Sequence, residues 1–198
     1  MRVEIPHKRF MLKDGSKVDV RALKPAEGPA LVAFLRELPE EDRLFLRSDV
    51  MKSEFEEHYL HGIDYNKMIP IVAFVGDKIV ANATLYRTDY GWTTHVGQIR
   101  VAVARPFQRK GLGRELIDYS LELAINMGLD KLIAEVVDNQ ISAKSALERS
   151  GFHAEATLKN HVKDIHGRRR NLVIMSNDLS HIWESMETLA SSFHPSME

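Results

Sequence analysis

Three cations and two glycines share one short stretch, formed by Gln108, Arg109, Lys110, Gly111, Leu112, Gly113 and Arg114. From Leu112 onward, apolar residues recur every three or four positions: Leu116, Tyr119, Leu123 and Met127. That period is helical, and Gly128 suits its C-terminal end. The basic stretch therefore sits at a helix N-terminus, where unpaired backbone N–H groups and the positive end of the dipole favour an anion. Gly111 and Gly113 let a ligand come close to the backbone. Before the turn, Val101 and Val103 are β-branched and fit a strand, and Pro106 stops ladder pairing. A strand, a basic glycine turn and a helix in that order predict a site for a phosphate-bearing ligand.

Two familiar phosphate motifs are excluded. In a Walker loop the lysine follows the last glycine and precedes Ser or Thr, but here Lys110 precedes Gly111 and Arg114 follows Gly113. A dinucleotide fingerprint needs a third glycine, and Leu116 stands there.

The elements that must position this turn follow from turn signals and periodicity. Asp14-Gly15 predicts a hairpin between strands near 9–13 and 17–23. Pro25 opens a helix with Leu31, Phe34, Leu35 and Leu38 on one face. Residues 40–50 read as a second short helix or an irregular segment, and Ser53-Glu-Phe-Glu56 has capping-box spacing for a helix to about Leu60. Strands over 70–75, 78–87 and 93–104 then form an antiparallel meander. After the central helix, Lys131–Val137 is a continuous apolar run and reads as a buried parallel strand. A helix over 140–150 ends at Gly151, and strands over 152–163 and 168–175 close the chain as a hairpin around Asp164. The stripe Leu179, Ile182, Trp183, Met186 and Leu189 predicts a further amphipathic helix, docked on the chain's own sheet or on a second subunit.

With 198 residues, 44% hydrophobic and 28% charged, the chain is expected to be a single domain over 1–198. Within it, 1–16 is an N-terminal extension, 17–178 the core, and 179–198 a C-terminal helix and tail. A formal net charge of −1 argues against nucleic acid as a partner and makes the basic turn a local feature. The absence of cysteine excludes disulfides and a thiolate nucleophile. No apolar run approaches a membrane span and no signal-peptide core is evident, which points to a cytoplasmic protein. His58 and His61 have no third ligand nearby, so no metal is expected.

The stretch Gln108–Gly113 matches the pattern Q/R-x-x-G-x-G/A. With the strand before it, the helix after it and a second helix ending in Ser-Gly151-Phe152, the chain resembles the GNAT superfamily of N-acetyltransferases over residues 17–178. The N-terminal part, with Val20-Arg-Ala-Leu and Leu38-Pro-Glu-Glu-Asp42, also resembles the GNAT domain of bacterial protein-lysine acetyltransferases. The resemblance implies an α/β (α+β) fold, with a mixed, mostly antiparallel sheet of about seven strands flanked by helices. The fourth and fifth of those strands splay apart at a bulge to admit acetyl-CoA. Backbone groups around Val101, Ala102 and Val103 would hold the pantetheine, and the turn from Gln108 to Arg114 the pyrophosphate. Asn139, Ser142 and Ser145 are further cofactor contacts.

The implied reaction is direct acetyl transfer to a primary amine, of a small molecule or of a protein lysine, by a monomer or homodimer. It needs a base for the amine and a donor to polarise the thioester. Several relatives carry Glu where this chain has Gln98, which cannot take a proton, so Glu135, His95 or Asp138 must substitute. Many also place Tyr where this chain has Leu147, so solvent, Tyr119 or Tyr86 must reprotonate the thiolate. Gln98 and Leu147 keep open a rival of another class, a non-catalytic acyl-CoA-binding sensor. Arg168, Arg169 and Arg170 read as a solvated strand edge rather than an anion site.

Overall fold

The computed structural model describes residues 6–46, 48–60 and 63–183. Its strands are β1 (Lys8–Met11), β2 (Lys17–Ala22), β3 (Met68–Val75), β4 (Lys78–Arg87), β5 (Val96–Val103), β6 (Lys131–Val137), β7 (His153–Lys163) and β8 (Arg169–Asp178). Its helices are α1 (Gly28–Glu37), α2 (Glu40–Arg43), α3 (Ser53–Leu60), α4 (Leu112–Asn126) and α5 (Ile141–Arg149). The strands make one eight-stranded sheet in the order β1-β2-β3-β4-β5-β6-β8-β7. Every neighbouring pair is antiparallel except β5 and β6, which run parallel across the α4 crossover. The eighth strand is β1, which the hairpin at Asp14-Gly15 adds to the edge of the sheet.

Alternation along the strands gives the sheet two apolar faces. On one, α4 and α5 bring Leu116, Leu123 and Leu147 against Ile99, Leu132 and Met175. On the other, the α1–α3 segment brings Leu31, Leu35 and Val50 against Val72 and Ile79. Each fully buried leucine or isoleucine contributes about 1.5–3 kcal/mol of transfer free energy, so both faces are firmly held. Gly97 fixes the approach of the α4–β6 connection to β5. A Cβ at Gly97 would meet Leu129 and Leu132 Cδ1 at 2.8 Å and Leu85 Cδ1 at 3.1 Å.

Two expectations change in detail. The strand read from residue 93 begins at Val96, because Val96 N donates to Thr93 O and closes a turn. His95 therefore lies in that turn and not on a strand. The bulge expected at the splay is absent from β5, whose register with β4 is constant from Ala81↔Val103 to Arg87↔Gly97. The nearby register shift falls instead between β3 and β4, where Val80 is the extra residue. Of the C-terminal stripe, Leu179 is buried, Ile182 packs on the α4 face and Trp183 Nε1 donates to Leu129 O at 3.2 Å. As far as Trp183 the segment docks in cis, while Met186 and Leu189 lie outside the described residues. No helix among the described residues is long and apolar enough to cross a membrane.

Candidate active site

The parallel β5–β6 ladder stops early. Its last pairs are Gln98↔Ile133 and Ile99↔Ala134, yet β5 continues along β4 to Val103 and β6 continues along β8 to Val137. The two strands thus diverge in a V. Val101 shows the consequence: it is 36% exposed, although Gly97 and Ile99 on the same face of β5 are buried. A cleft of ≈ 870 Å³ passes through the V and is lined on one face by Ile117, Ser142 and Leu147 and on the other by Leu35, Asp42 and Phe55.

In a strand, the N–H and C=O of alternate residues turn to the same neighbour. Ala104 N donates to Val80 O on β4, so Ala102 also directs its backbone to β4. Val101 and Val103 face the V. The carbonyl of Val103 already accepts Gln108 Nε2 at 2.9 Å, which anchors the basic turn to the strand end. Of the three strand residues expected to hold a pantetheine, Val101 keeps both backbone groups toward the gap, and Ala102 reaches the cleft without them.

The turn itself is built as its glycines predict. Gly111 caps α4 at φ 98°, a conformation other residues adopt at a cost. The first α4 bond runs from Glu115 N to Gly111 O, so the N–H groups of Leu112, Gly113 and Arg114 have no intrahelical partner. Leu112 is fully buried and offers only its backbone. Arg109, at φ 60°, lines the cleft together with Gln108 and Gly113. Lys110 does not. Its Nζ binds Asp14 Oδ2 at 2.7 Å, and that contact, with the Ser16 bonds, holds the Asp14 carboxyl at about 2. Arg114 pairs with Asp118 at 3.4 Å along the helix. Asn139 and Ser142 line the cleft, whereas Ser145 is not among its lining residues.

The candidate proton acceptors separate more sharply. Glu135 is in the cleft, at the first position past the ladder, and its Oε2 accepts Arg100 Nη2 at 2.6 Å across the V. Arg100 Nη1 also donates to Phe45 O at 3.0 Å, tying both strands to the segment after α2. His95 is exposed at the opposite, N-terminal end of β5, where its carbonyl accepts Asp130 N. Gln98 lies between Tyr86 and Ile133 within the intact ladder, one step short of the V. Asp138 Oδ2 accepts Asn171 N at 3.3 Å, a hairpin contact outside the cleft. Tyr119 is buried with its hydroxyl donating to Pro6 O. Burial, with Glu122 beside it, pushes it up to about 12. Tyr86 and Leu147 do line the cleft.

One further carboxylate carries no site signal in the sequence. Asp42, on α2, lines the cleft, and its Oδ2 is buried without a hydrogen-bond partner among the described residues. Arg105 Nε stands 3.7 Å away, beyond hydrogen-bonding distance. Burial raises the Asp42 carboxyl above its ordinary value. Its neighbour Glu41 pairs with Arg105 and so links α2 to the end of β5. Among the described residues there is no group of three or more side chains able to hold a metal; His61 lies outside them, and so does the side chain of His58.

The acetyltransferase (GNAT) family model matches residues 32–152, more than half of the chain. The chain belongs to that family of acetyltransferases. None of the curated proteins compared is a significant sequence match. Among solved structures, the fold is similar to the GNAT domain of S. lividans PAT, at 17% identity and a TM-score of 0.72, covering 89% of this chain and 100% of that one. It is also similar to spermidine N-acetyltransferase from Vibrio cholerae in complex with CoA and spermine, at 20% identity, TM-score 0.69, and 82% and 96% coverage. The ribosomal-protein-S18-alanine N-acetyltransferase from Escherichia coli gives 20% identity, TM-score 0.65, and 82% and 94% coverage.

Proposed function

We propose that the chain moves the acetyl group of acetyl-CoA directly to a primary amine through the V between β5 and β6. The observation that carries this reading is the end of the parallel ladder at Ile99↔Ala134, which joins the basic turn on one face to a carboxylate-bearing cleft on the other. The pyrophosphate sits on the N–H groups at the start of α4 with Arg109 beside it. The pantetheine takes the place of the missing ladder against Val101. The Val101 N–H polarises the thioester carbonyl. The amine nitrogen bonds to the carbonyl carbon, the C–S bond breaks, and the thiolate leaves with CoA. With leucine at position 147, the thiolate takes its proton from solvent or Tyr86.

The amine meets two carboxylates. Glu135 accepts its proton through Oε1, since Oε2 is held by Arg100. Asp42 draws the incoming ammonium, because its buried oxygen accepts no hydrogen bond and has only Arg105 Nε nearby, at 3.7 Å. Fold alone does not separate an enzyme from an acyl-CoA sensor. Continuous CoA release from acetyl-CoA in the presence of an amine panel supports transfer. Tight acetyl-CoA binding with no release for any amine would favour the sensor.

A further inference from the structure

A second, smaller cavity of ≈ 220 Å³ opens beside the main cleft on the α1–α3 face and shares Glu41, Phe45, Arg100, Glu135 and Asn139 with it. Its far wall is the β7–β8 hairpin. Arg168 and Arg170 are two residues apart and both line it, whereas Arg169 does not. The arginine run is therefore not simply a solvated edge, because two of its members line this cavity.

The acids around this cavity are already engaged. Glu135 is held by Arg100 and Glu41 by Arg105. Asp164 Oδ1 accepts the N–H groups of His166 and Arg168 at 3.0 Å, and Oδ2 accepts Arg168 Nε at 2.8 Å and Arg170 Nε at 3.4 Å. Burial pushes the Asp164 carboxyl up, but the Arg168 and His166 contacts outweigh it and hold it at about 2, so it stays ionised. Both guanidinium groups are thus fixed through Nε, and their terminal nitrogens have no protein partner among the described residues. Those donors suit a planar oxyanion.

Resting on the acetyl-transfer reading above, we infer that this cavity is a carboxylate subsite and that the acceptor is a free amino acid, its amine at Glu135 and its carboxylate on Arg168 and Arg170. The charges left over match that ligand in order: a carboxylate oxygen of Asp42 in the main cleft that accepts no hydrogen bond, and terminal guanidinium donors without a protein partner among the described residues next door. A polyamine would bring a second cation to the same arginines.

The test compares amino acids with their decarboxylated amines, such as ornithine with putrescine and leucine with isopentylamine, on the full chain with acetyl-CoA. The subsite predicts kcat/KM at least about tenfold higher for the amino acid, since a charge-assisted bond is being lost from its partner. Arg170→Ala and the more exposed Arg168→Ala should each shrink that ratio several-fold, with the acetyl-CoA-induced rise in Tm kept as a check of folding. Equal or better use of the decarboxylated amines overturns the inference and leaves acetyl transfer standing. Turnover only of a lysine peptide flanked by glutamates moves the carboxylate onto a peptide and overturns the free amino acid. If no amine is turned over, acetyl transfer fails, and calorimetry with the CoA-loaded chain decides the subsite. Amino-acid binding weakened by Arg170→Ala supports it, and absence of binding overturns it.

Discussion

The two faces of the sheet reach the same V by different means. The α4 side is assembled from one contiguous stretch, Val101 to Arg114, and works mainly through backbone groups: the strand edge at Val101 and the first turn of α4. The α1–α3 side draws Asp42, Arg100, Glu135 and Arg170 from α2, β5, β6 and β8, and works through side chains. Backbone recognition depends on local geometry and fails when bulk is placed in the way. Side-chain recognition depends on which charge is left unpaired, so on the proposed reading acceptor choice is set on this second face.

The largest effect should come from breaking the backbone side. A Cβ at Gly113 meets only Val103 Cγ2 at 3.8 Å, so the fold accepts a side chain there. Gly113→Glu instead sets bulk and negative charge at the proposed phosphate site. It should abolish the stabilisation by acetyl-CoA, about 2.7 kcal/mol at a hundredfold excess over Kd, with little change in Tm without ligand. Equal stabilisation of both proteins would remove the turn from the site.

The side-chain face should respond in two separable ways. Glu135→Gln keeps the shape but cannot take a proton, so kcat and kcat/KM should both fall about 10²-fold with acetyl-CoA stabilisation retained. Unaltered kcat and pH dependence would make Glu135 only the partner of Arg100. Asp42→Asn should act more gently, raising the acceptor KM about tenfold through loss of one charged contact. Burial raises the folded-state pKa of Asp42 above its unfolded value. Its contribution to stability is therefore full below the unfolded pKa and is lost as pH rises through the folded one. Asparagine cannot ionise, so the variant should gain Tm over the parent protein as pH rises from acid to neutral. A constant Tm difference across that range would contradict a buried Asp42 oxygen that accepts no hydrogen bond.

The same contrast explains what the chain reveals before folding. The basic turn, the helix after it and the hairpins were legible because each is written in neighbouring residues: Gly111 at a positive φ, Leu116 and Leu123 at helical spacing, Asp14-Gly15 at a reversal. Long-range pairings were not. Lys110 looked like a phosphate ligand, but Asp14 takes it once the first hairpin folds onto the turn. His95 looked like a strand residue near the cleft, yet the turn closed by Thr93 and Val96 puts it at the wrong end of β5. Asp42 gains its character only when α2 packs beside Arg105 and Phe45, which no local pattern encodes. Gly97 carried no turn signal, because its reason is the three leucines that close over it.

Hydrogen exchange with and without acetyl-CoA tests the central claim most directly, that the cofactor replaces the missing ladder of the V. The amides of Val101, Val103, Leu112, Gly113 and Arg114 are predicted to gain protection together, while Gln98, whose amide faces β4, and Ile99, already in the β5–β6 ladder, change little. Protection confined to the α1–α3 segment or the β7–β8 hairpin, with Val101 and Gly113 unaffected, would contradict it.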